Sequence, residues 1–238
     1  MVVKVVLFDL FETLVSGFDT GHPSTTEVAQ TLELPVKEFQ QEYYQSLRSA
    51  RYTGQFPDYA TVLCYIVQQL GGKSSDSTIK TLAERRQSAF TAHLRRIEPE
   101  ILDMLNEITT SGIRIGLISN TDGSEVLDWA NSPLSDFFET PIFSHAVGMV
   151  KPDPHIYQHA CKNLGVAPSD CIFIGDGNSD ELRGAAQVGM LPFCAAWFLR
   201  QHTDLLGEDI VMRRAAGYPV LSDPSELADR VRDLCAVC

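Results

Sequence analysis

The most constraining feature of the sequence is an apolar run that ends at a carboxylate. Residues 2–8 are apolar apart from Lys4, and Asp9 follows them directly. Such a run is typical of a strand buried on both faces of a parallel sheet. Ligands bind at the carboxyl ends of strands in open α/β sheets, so Asp9 is predicted to lie where chemistry occurs. Thr13 can turn its hydroxyl toward the same point. The alternative is that Asp9 only caps the turn or helix that follows.

The second half of the chain alternates between strand and helix patterns. Strands are predicted at 113–118, 141–147, 171–175 and 191–196, with a short edge strand at 217–221. The helices predicted between and after them are 100–110, 124–129, 155–164, 182–188 and 225–234. Between 197 and 216 no element is given bounds, and only the pair 213–214 is assigned to a helix face. Because alternating β and α units build parallel sheets, the expected fold class is α/β.

Residues 16–98 differ from both flanks, because they contain no strong strand pattern. Helical spacing predicts four helices there, at 25–32, 36–51, 59–70 and 77–94. We interpret this segment as a helical cap inserted into a core made of residues 1–15 and 99–238. Near the end of the second helix, Arg48, Arg51 and Tyr52 either face a site or are solvated.

Polar residues stand at the ends of three further core segments. Ser119 and Asn120 follow the second strand, Lys151 lies in a proline-containing loop, and Asp176 and Asp180 follow the fourth strand. Parallel strands place their carboxyl ends at one edge of the sheet, so these groups are expected to meet Asp9.

This constellation predicts a specific division of labour. Asp9 and Asp176 together can hold a hard divalent cation such as Mg²⁺, which prefers oxygen ligands. Asp9 can also act as a nucleophile, Lys151 would offset the negative charge, and Ser119 would hold oxygens of the transferring group. Asp180 is assigned to the site, whereas Glu181 is interpreted as an acid that favours a helix N-terminus.

Charge and composition restrict the partners. The net charge of −12 argues against nucleic-acid binding, which needs clustered basic residues. The basic pairs 85–86, 95–96 and 213–214 are predicted to be solvated helix surface. No apolar run is long enough to span a membrane, and no signal segment is expected. Cys171 and Cys194 are predicted to be buried, and Cys235 with Cys238 forms an isolated C-x-x-C. A reduced, cytoplasmic protein with a small anionic substrate is expected. The sequence indicates no particular oligomeric state.

Four motifs resemble those of the haloacid dehalogenase-like (HAD) hydrolase superfamily, and the inserted helices resemble the C1 cap of its subfamily I. The motifs are Asp9-Leu10-Phe11-Glu12-Thr13, Ser119-Asn120, Lys151-Pro152 and Gly175-Asp176-Gly177-Asn178-Ser179-Asp180. The resemblance implies a Rossmann-like core and an aspartyl-enzyme intermediate on Asp9. It implies Mg²⁺ held by Asp9, the backbone carbonyl of Phe11 and Asp176, with support from Asp180. It also implies that Thr13, Ser119, Asn120 and Lys151 bind the substrate group.

One position departs from the phosphatases of this superfamily. They carry a second Asp two residues after the nucleophile as general acid and base, and this chain has Phe11 there. General acid–base catalysis contributes about 10²–10⁴-fold in rate, so phosphatase activity is expected to be slow or to use another acid.

The L-2-haloacid dehalogenases of the superfamily also place an aromatic residue at that position, because a halide leaves without a proton. The cap segment around Arg48 resembles their substrate-arginine region. They do not use a metal, however, and they lack the Gly-Asp that Gly175 and Asp176 supply here. A second carboxylate beside Asp9 would be costly without a cation. The sequence therefore favours a Mg²⁺-dependent phosphatase of a small phosphorylated metabolite. A dehalogenase and a non-catalytic binding protein are the alternatives.

Overall fold

The computed structural model describes residues 3–18 and 21–236. Its sheet has six parallel strands in the order β3-β2-β1-β4-β5-β6. The strands are β1 (Val5–Phe8), β2 (Arg114–Ser119), β3 (Ile142–Phe143), β4 (Cys171–Gly175), β5 (Leu191–Ala195) and β6 (Val220–Leu221). The order confirms the predicted α/β fold with a Rossmann-like sheet.

The first strand lies at the centre of the sheet, as its apolar sequence predicts. All four of its residues are buried, and β1 pairs with β2 on one side and β4 on the other. Phe8 is in register with Leu117 and with Ile174. The residues that follow these three strands therefore emerge side by side at one edge of the sheet.

The insertion between β1 and β2 is helical, which confirms the predicted cap. Its helices are α1 (Thr25–Thr31), α2 (Val36–Gln41), α3 (Arg48–Tyr52), α4 (Tyr59–Gln69) and α5 (Asp76–Arg95). Ser24, Asp58 and Ser75 cap three of them by accepting backbone N–H bonds. The predicted helix over 36–51 is interrupted by a π-helical turn at Glu42–Ser46. The cap has a hydrophobic core of its own, and the boundaries at residues 16 and 98 stay a prediction.

The remaining helices cover the faces of the sheet. They are α6 (Pro99–Thr110), α7 (Ser144–Val147), α8 (Pro154–Leu164), α9 (Glu181–Gln187), α10 (Trp197–Gln201), α11 (Thr203–Leu206), α12 (Ile210–Ala215) and α13 (Pro224–Ala236). Helices α10 to α12 occupy residues 197–215, where the sequence assigned only the pair 213–214 to a helix. None of the helices in the described ranges is long and apolar enough to cross a bilayer.

Two predicted elements around the second strand end are wrong. The helix expected at 124–129 is a series of turns that leads to a short 3₁₀ helix at Trp129–Asn131. There Asp122 Oδ1 accepts the Ser124 N–H and Glu125 Oε2 accepts the Asp122 N–H, and such bonds compete with a helix. The strand expected at 141–147 ends at Phe143, and α7 follows it until Gly148, whose φ is +68°.

Four cysteines lie among residues whose side chains the structure describes, and the predicted reduced state stays a prediction. Cys161, Cys171 and Cys194 are buried free thiols, and Cys64 is a half-buried one. In the predicted C-x-x-C, the side chain of Cys235 and the whole of Cys238 lie outside the described residues.

Candidate active site

A cavity of about 420 Å³ lies where the strand ends meet the cap. Asp9, Ser119, Lys151 and Asp176 line it from the core, as the strand-end argument predicts. Its other lining residues are Phe11, Glu12, Gly17, Phe18, His22, Tyr44, Tyr52, Phe90, Asn120, Glu125, Asn178, Ser179, Glu181 and Arg214.

Lys151 is the central cation of the site. Its ammonium group is buried and forms ion pairs with Asp9 Oδ1 and with Glu181 Oε2. Burial lowers the pKa of Lys151, but the attraction of Asp9 and Glu181 outweighs it, so the pKa lies above its ordinary value. The lysine is therefore charged at neutral pH and holds two carboxylates together.

Asn120 fixes the loop that carries Lys151. Its Oδ1 accepts the Lys151 backbone N–H at 2.7 Å, and its Nδ2 donates to the Lys151 carbonyl oxygen at 2.9 Å. Asn120 lines the cavity, but this pair of bonds occupies its amide. The geometry makes it a positioning residue for Lys151, and its predicted contact with substrate stays a prediction.

Asp176 has partners on both carboxylate oxygens. Oδ1 accepts the Asn178 N–H at 2.9 Å, and Oδ2 accepts from Arg214 Nη1 at 2.5 Å. Burial raises the pKa of Asp176 to about 6, against the opposing effect of Arg214. The prediction that the pair 213–214 is solvated is wrong for Arg214, although Arg213 does lie on the surface with Asp209.

Three buried acids offer oxygens close enough for one metal ion. Oxygens of Asp9, Asp176 and Glu181 lie within 4.8 Å of one another. Carboxylate oxygens are the donors that Mg²⁺ prefers, so these residues fit the predicted cation. We call Asp9, Lys151, Asp176, Glu181 and Arg214 the active-site cluster.

The third acid is Glu181, whereas the sequence assigned Asp180 to the site. Asp180 pairs with Arg183, and 41% of its side chain is exposed. Ser179 and Asp180 both adopt left-handed backbone angles, and these turn the chain so that Glu181 points inward. A Cβ atom on Gly175 would overlap Glu181 Oε1, so glycine is needed there for Glu181 to enter.

The two predicted hydroxyl groups lie at different depths. Ser119 is buried at the end of β2 and lines the cavity. Thr13 is fully buried, its Oγ1 has no hydrogen-bond partner within residues 3–18 and 21–236, and its carbonyl oxygen accepts from Trp197 Nε1 at 2.9 Å. The structure therefore brings Ser119 to the cavity but not Thr13.

Phe11 places an aromatic ring between the nucleophile and the cap. Its ring packs edge-on against the ring of Phe90, with 5.4 Å between the ring centres. The His22 ring stacks on the Phe90 ring, with 5.7 Å between their centres. Next to it, Glu12 has a φ of +61° and accepts the Gly17 N–H. Burial raises the pKa of Glu12 to about 8. Glu12 is therefore largely protonated at pH 7.

Arg48 contacts the core from the cap but lines a neighbouring cavity. Its Nη2 donates to Ser179 Oγ at 2.6 Å, and both residues border a space of about 540 Å³ that also includes Asn120 and Lys151. The predicted substrate contact of Arg48 stays a prediction at the mouth of the site.

A second buried charge cluster joins the cap to the core, and the sequence analysis did not predict it. Arg86 binds Asp122 at 3.0 Å and Glu125 at 2.6 Å, and Arg51 lies 3.7 Å from Asp122. We call these four residues the cap–core cluster. The prediction that the pair 85–86 is solvated is wrong for Arg86, which is 5% exposed.

Comparison with known proteins agrees with this geometry. The chain matches the haloacid dehalogenase-like hydrolase family over residues 3–189. It therefore belongs to this family of hydrolases, as the motifs predicted. A glyceraldehyde 3-phosphate phosphatase of Pyrococcus abyssi is 27% identical over 203 residues, which are 82% of this chain and 81% of that protein.

Solved structures share the fold. A 2-haloacid dehalogenase of Pseudomonas syringae has a TM-score of 0.64 at 22% identity, over 97% of this chain and 98% of the other. A HAD-family enzyme of Bacteroides thetaiotaomicron, in complex with magnesium and inorganic phosphate, has a TM-score of 0.59 at 21% identity, over 81% of this chain and 94% of the other. At these identities the likeness concerns the fold alone.

Proposed function

We propose that this protein is a Mg²⁺-dependent phosphatase of a small phosphorylated metabolite, with Asp9 as the nucleophile. The observation that carries the proposal is the cluster of three buried carboxylates around Lys151 at a cavity of metabolite size. The relationship to glyceraldehyde 3-phosphate phosphatases supports the same reaction class.

Asp9 is arranged to attack with one oxygen. Lys151 holds its Oδ1, and Oδ2 has no hydrogen-bond partner among the described residues. In the proposed reaction Oδ2 attacks phosphorus, and the bond from phosphorus to the leaving oxygen breaks, with its electron pair going to that oxygen. Water then attacks the phosphorus and releases the Asp9 carboxylate and inorganic phosphate.

The other groups act on charge. Lys151 offsets the negative charge of the transferring group, and Ser119 donates to one of its oxygens. Asp9, Asp176, Glu181 and the Phe11 carbonyl are the proposed metal ligands. Bound Mg²⁺ would supply Lewis-acid stabilisation of the phosphoryl oxygens.

Phe11 sets a limit on the leaving group. A phenyl ring cannot donate a proton to a departing alkoxide, so substrates with acidic leaving groups are expected to react faster than simple alkyl phosphates. The proposed acceptance of small metabolites follows from the cap, which covers the cavity with aromatic side chains.

Hydrolysis of a carbon–halogen bond is the second candidate. One observation favours it: Arg214 neutralises Asp176, so the second carboxylate is offset by the chain itself. Asp9 Oδ2 would attack the carbon, and halide would leave with the bonding electrons and without a proton, which suits Phe11; water would then hydrolyse the resulting Asp9 ester and release the hydroxyacid. The test is halide release from 2-haloacids.

The experiment that tests the proposed function is hydrolysis of an aryl phosphate with Mg²⁺ and with chelator. Its leaving group needs little protonation, so Phe11 does not mask the activity. Turnover is expected to require both Mg²⁺ and Asp9, and to be lost in Asp9→Asn. Asp170→Asn is the matched control, because Asp170 precedes β4 at the opposite edge of the sheet and pairs with Lys4. If Asp9→Asn and the wild-type protein hydrolyse the aryl phosphate at the same background rate, a binding protein would be indicated instead.

A further inference from the structure

Arg214 reaches the site from a part of the chain that the family match does not cover. The match ends at residue 189, and Arg214 is the fifth residue of α12. Its guanidinium forms an ion pair with Asp176 Oδ2 at 2.5 Å. The Asp176 side chain is 1% exposed and that of Arg214 is 22% exposed.

The contact is built into the backbone. Gly177 has a φ of +80°, and a Cβ atom there would overlap the carbonyl oxygen of Arg214. The end of α12 is therefore packed directly on the loop that carries Asp176. Arg213, the preceding residue, turns outward and pairs with Asp209 at 2.8 Å. Only one arginine of this pair enters the site.

The ion pair occupies the oxygen that a metal ion would use. Asp176 Oδ1 already accepts the Asn178 N–H, and Oδ2 accepts from Arg214. A divalent cation on Asp176 has to approach a carboxylate whose two oxygens both have donors, and it would be repelled by the guanidinium charge a few ångströms away. A divalent cation and the Arg214 guanidinium would therefore bind the same buried carboxylate, that of Asp176.

We propose that Arg214 is a resident counter-ion of Asp176 that competes with the divalent cation, so that Mg²⁺ binding displaces the guanidinium from Oδ2. This inference rests on the proposed function, because it assumes that Mg²⁺ binds at Asp176. The competition lowers the affinity for Mg²⁺. The displaced guanidinium stays at the cavity, which Arg214 lines.

Calorimetric titration of the full chain with Mg²⁺ gives the first arm of the test. Arg214→Gln is expected to tighten the Mg²⁺ dissociation constant by about tenfold, because it removes a nearby positive charge. Arg213→Gln is the matched control, since it removes an arginine from the same helix outside the site. Equal affinities of wild type and Arg214→Gln would overturn the competition.

The second arm separates displacement from a simple charge effect. The side-chain Nε–H signal of Arg214 is followed by NMR in the wild-type protein during the same titration. It is assigned by its absence in Arg214→Lys, which keeps the charge. Displacement predicts that this signal moves toward the position of a free arginine, with the midpoint that calorimetry gives. An unmoved signal in protein that has bound Mg²⁺ would overturn displacement and leave the proposed function standing. Failure of both wild type and Arg214→Gln to bind Mg²⁺ would overturn the proposed Mg²⁺ dependence itself.

Discussion

The two buried charge clusters of this protein differ in their charge balance. The active-site cluster has three carboxylates and two cations, and it borders a cavity. The cap–core cluster has two carboxylates and two arginines.

The two clusters also differ in what surrounds their cations. In the cap–core cluster, Arg86 lies 4.5 Å from the ring centre of Tyr59 and 4.6 Å from that of Phe90, and Arg51 lies 3.7 Å from that of Tyr43. Aromatic rings of the cap thus cover its cations. Equal numbers of carboxyl groups and arginines, with the arginines covered by rings, suit a structural joint between cap and core. The active-site cluster has one carboxyl group more than it has cationic side chains and borders a cavity, which suits a site that takes up a further cation and an anionic substrate.

The strongest loss of activity should distinguish Asp176 from Asp180, the two acids of this loop that the sequence assigned to the site. Asp176→Asn removes a proposed metal ligand, and its Mg²⁺-dependent kcat/KM for an aryl phosphate is expected to fall by about 10²–10³-fold, the size of a lost electrostatic contact to the reacting group. Asp180→Asn is the matched control, because Asp180 lies on the same loop and pairs with Arg183 at the surface. An equal loss in both variants would assign Asp180 to the site after all.

The cap–core cluster is expected to affect stability more than chemistry. Arg86→Met leaves Asp122 and Glu125 without their main cation, and the free energy of unfolding is expected to fall by about 3–5 kcal/mol. Arg85→Met is the control, because Arg85 pairs with Glu27 on the surface, where such pairs contribute about 0–1 kcal/mol. Urea unfolding of both variants measures the difference. Comparable losses would mean that the buried cluster is not a structural joint.

Glu12 lines the same cavity as the active-site cluster and is expected to make the free energy of unfolding depend on pH. Its folded-state pKa of about 8 lies above its unfolded value near 4.5, so the unfolded chain loses its proton first. Stability is expected to fall as pH rises from about 5 to 8, by up to about 1.4 kcal/mol per pH unit from this group. Glu12→Gln should flatten that slope, whereas Glu84→Gln, on exposed helix surface, should not. Parallel slopes in wild type and Glu12→Gln would show that Glu12 is ionised in the folded protein.

The strand-end residues could be predicted from the sequence because their signal is local. An apolar run that ends at Asp9, Ser119 or Asp176 specifies both the strand and its edge. The alternation of strands and helices then brings these residues together. The helical cap was predictable for the same reason, because the apolar spacing and the N-cap residue of each of its helices are local sequence features.

The two arginines could not be predicted, because their roles depend on distant residues. Arg86 is 36 residues from Asp122, and Arg214 is 38 residues from Asp176. A pair of arginines on a helix has the same sequence pattern whether both are solvated or one is buried. Glu181 was missed for a backbone reason, since the left-handed turn at Ser179 and Asp180 reverses which acid points inward.

The most direct test of the central proposal is to look for a phosphoryl group on Asp9. The enzyme is mixed with an aryl phosphate and Mg²⁺, quenched in acid during turnover, and digested for peptide mass spectrometry. A phosphorylated peptide that contains Asp9 is expected, and it should be absent in Asp9→Asn and in the presence of chelator. Turnover of the substrate without any such adduct, or an adduct on another residue, would contradict it.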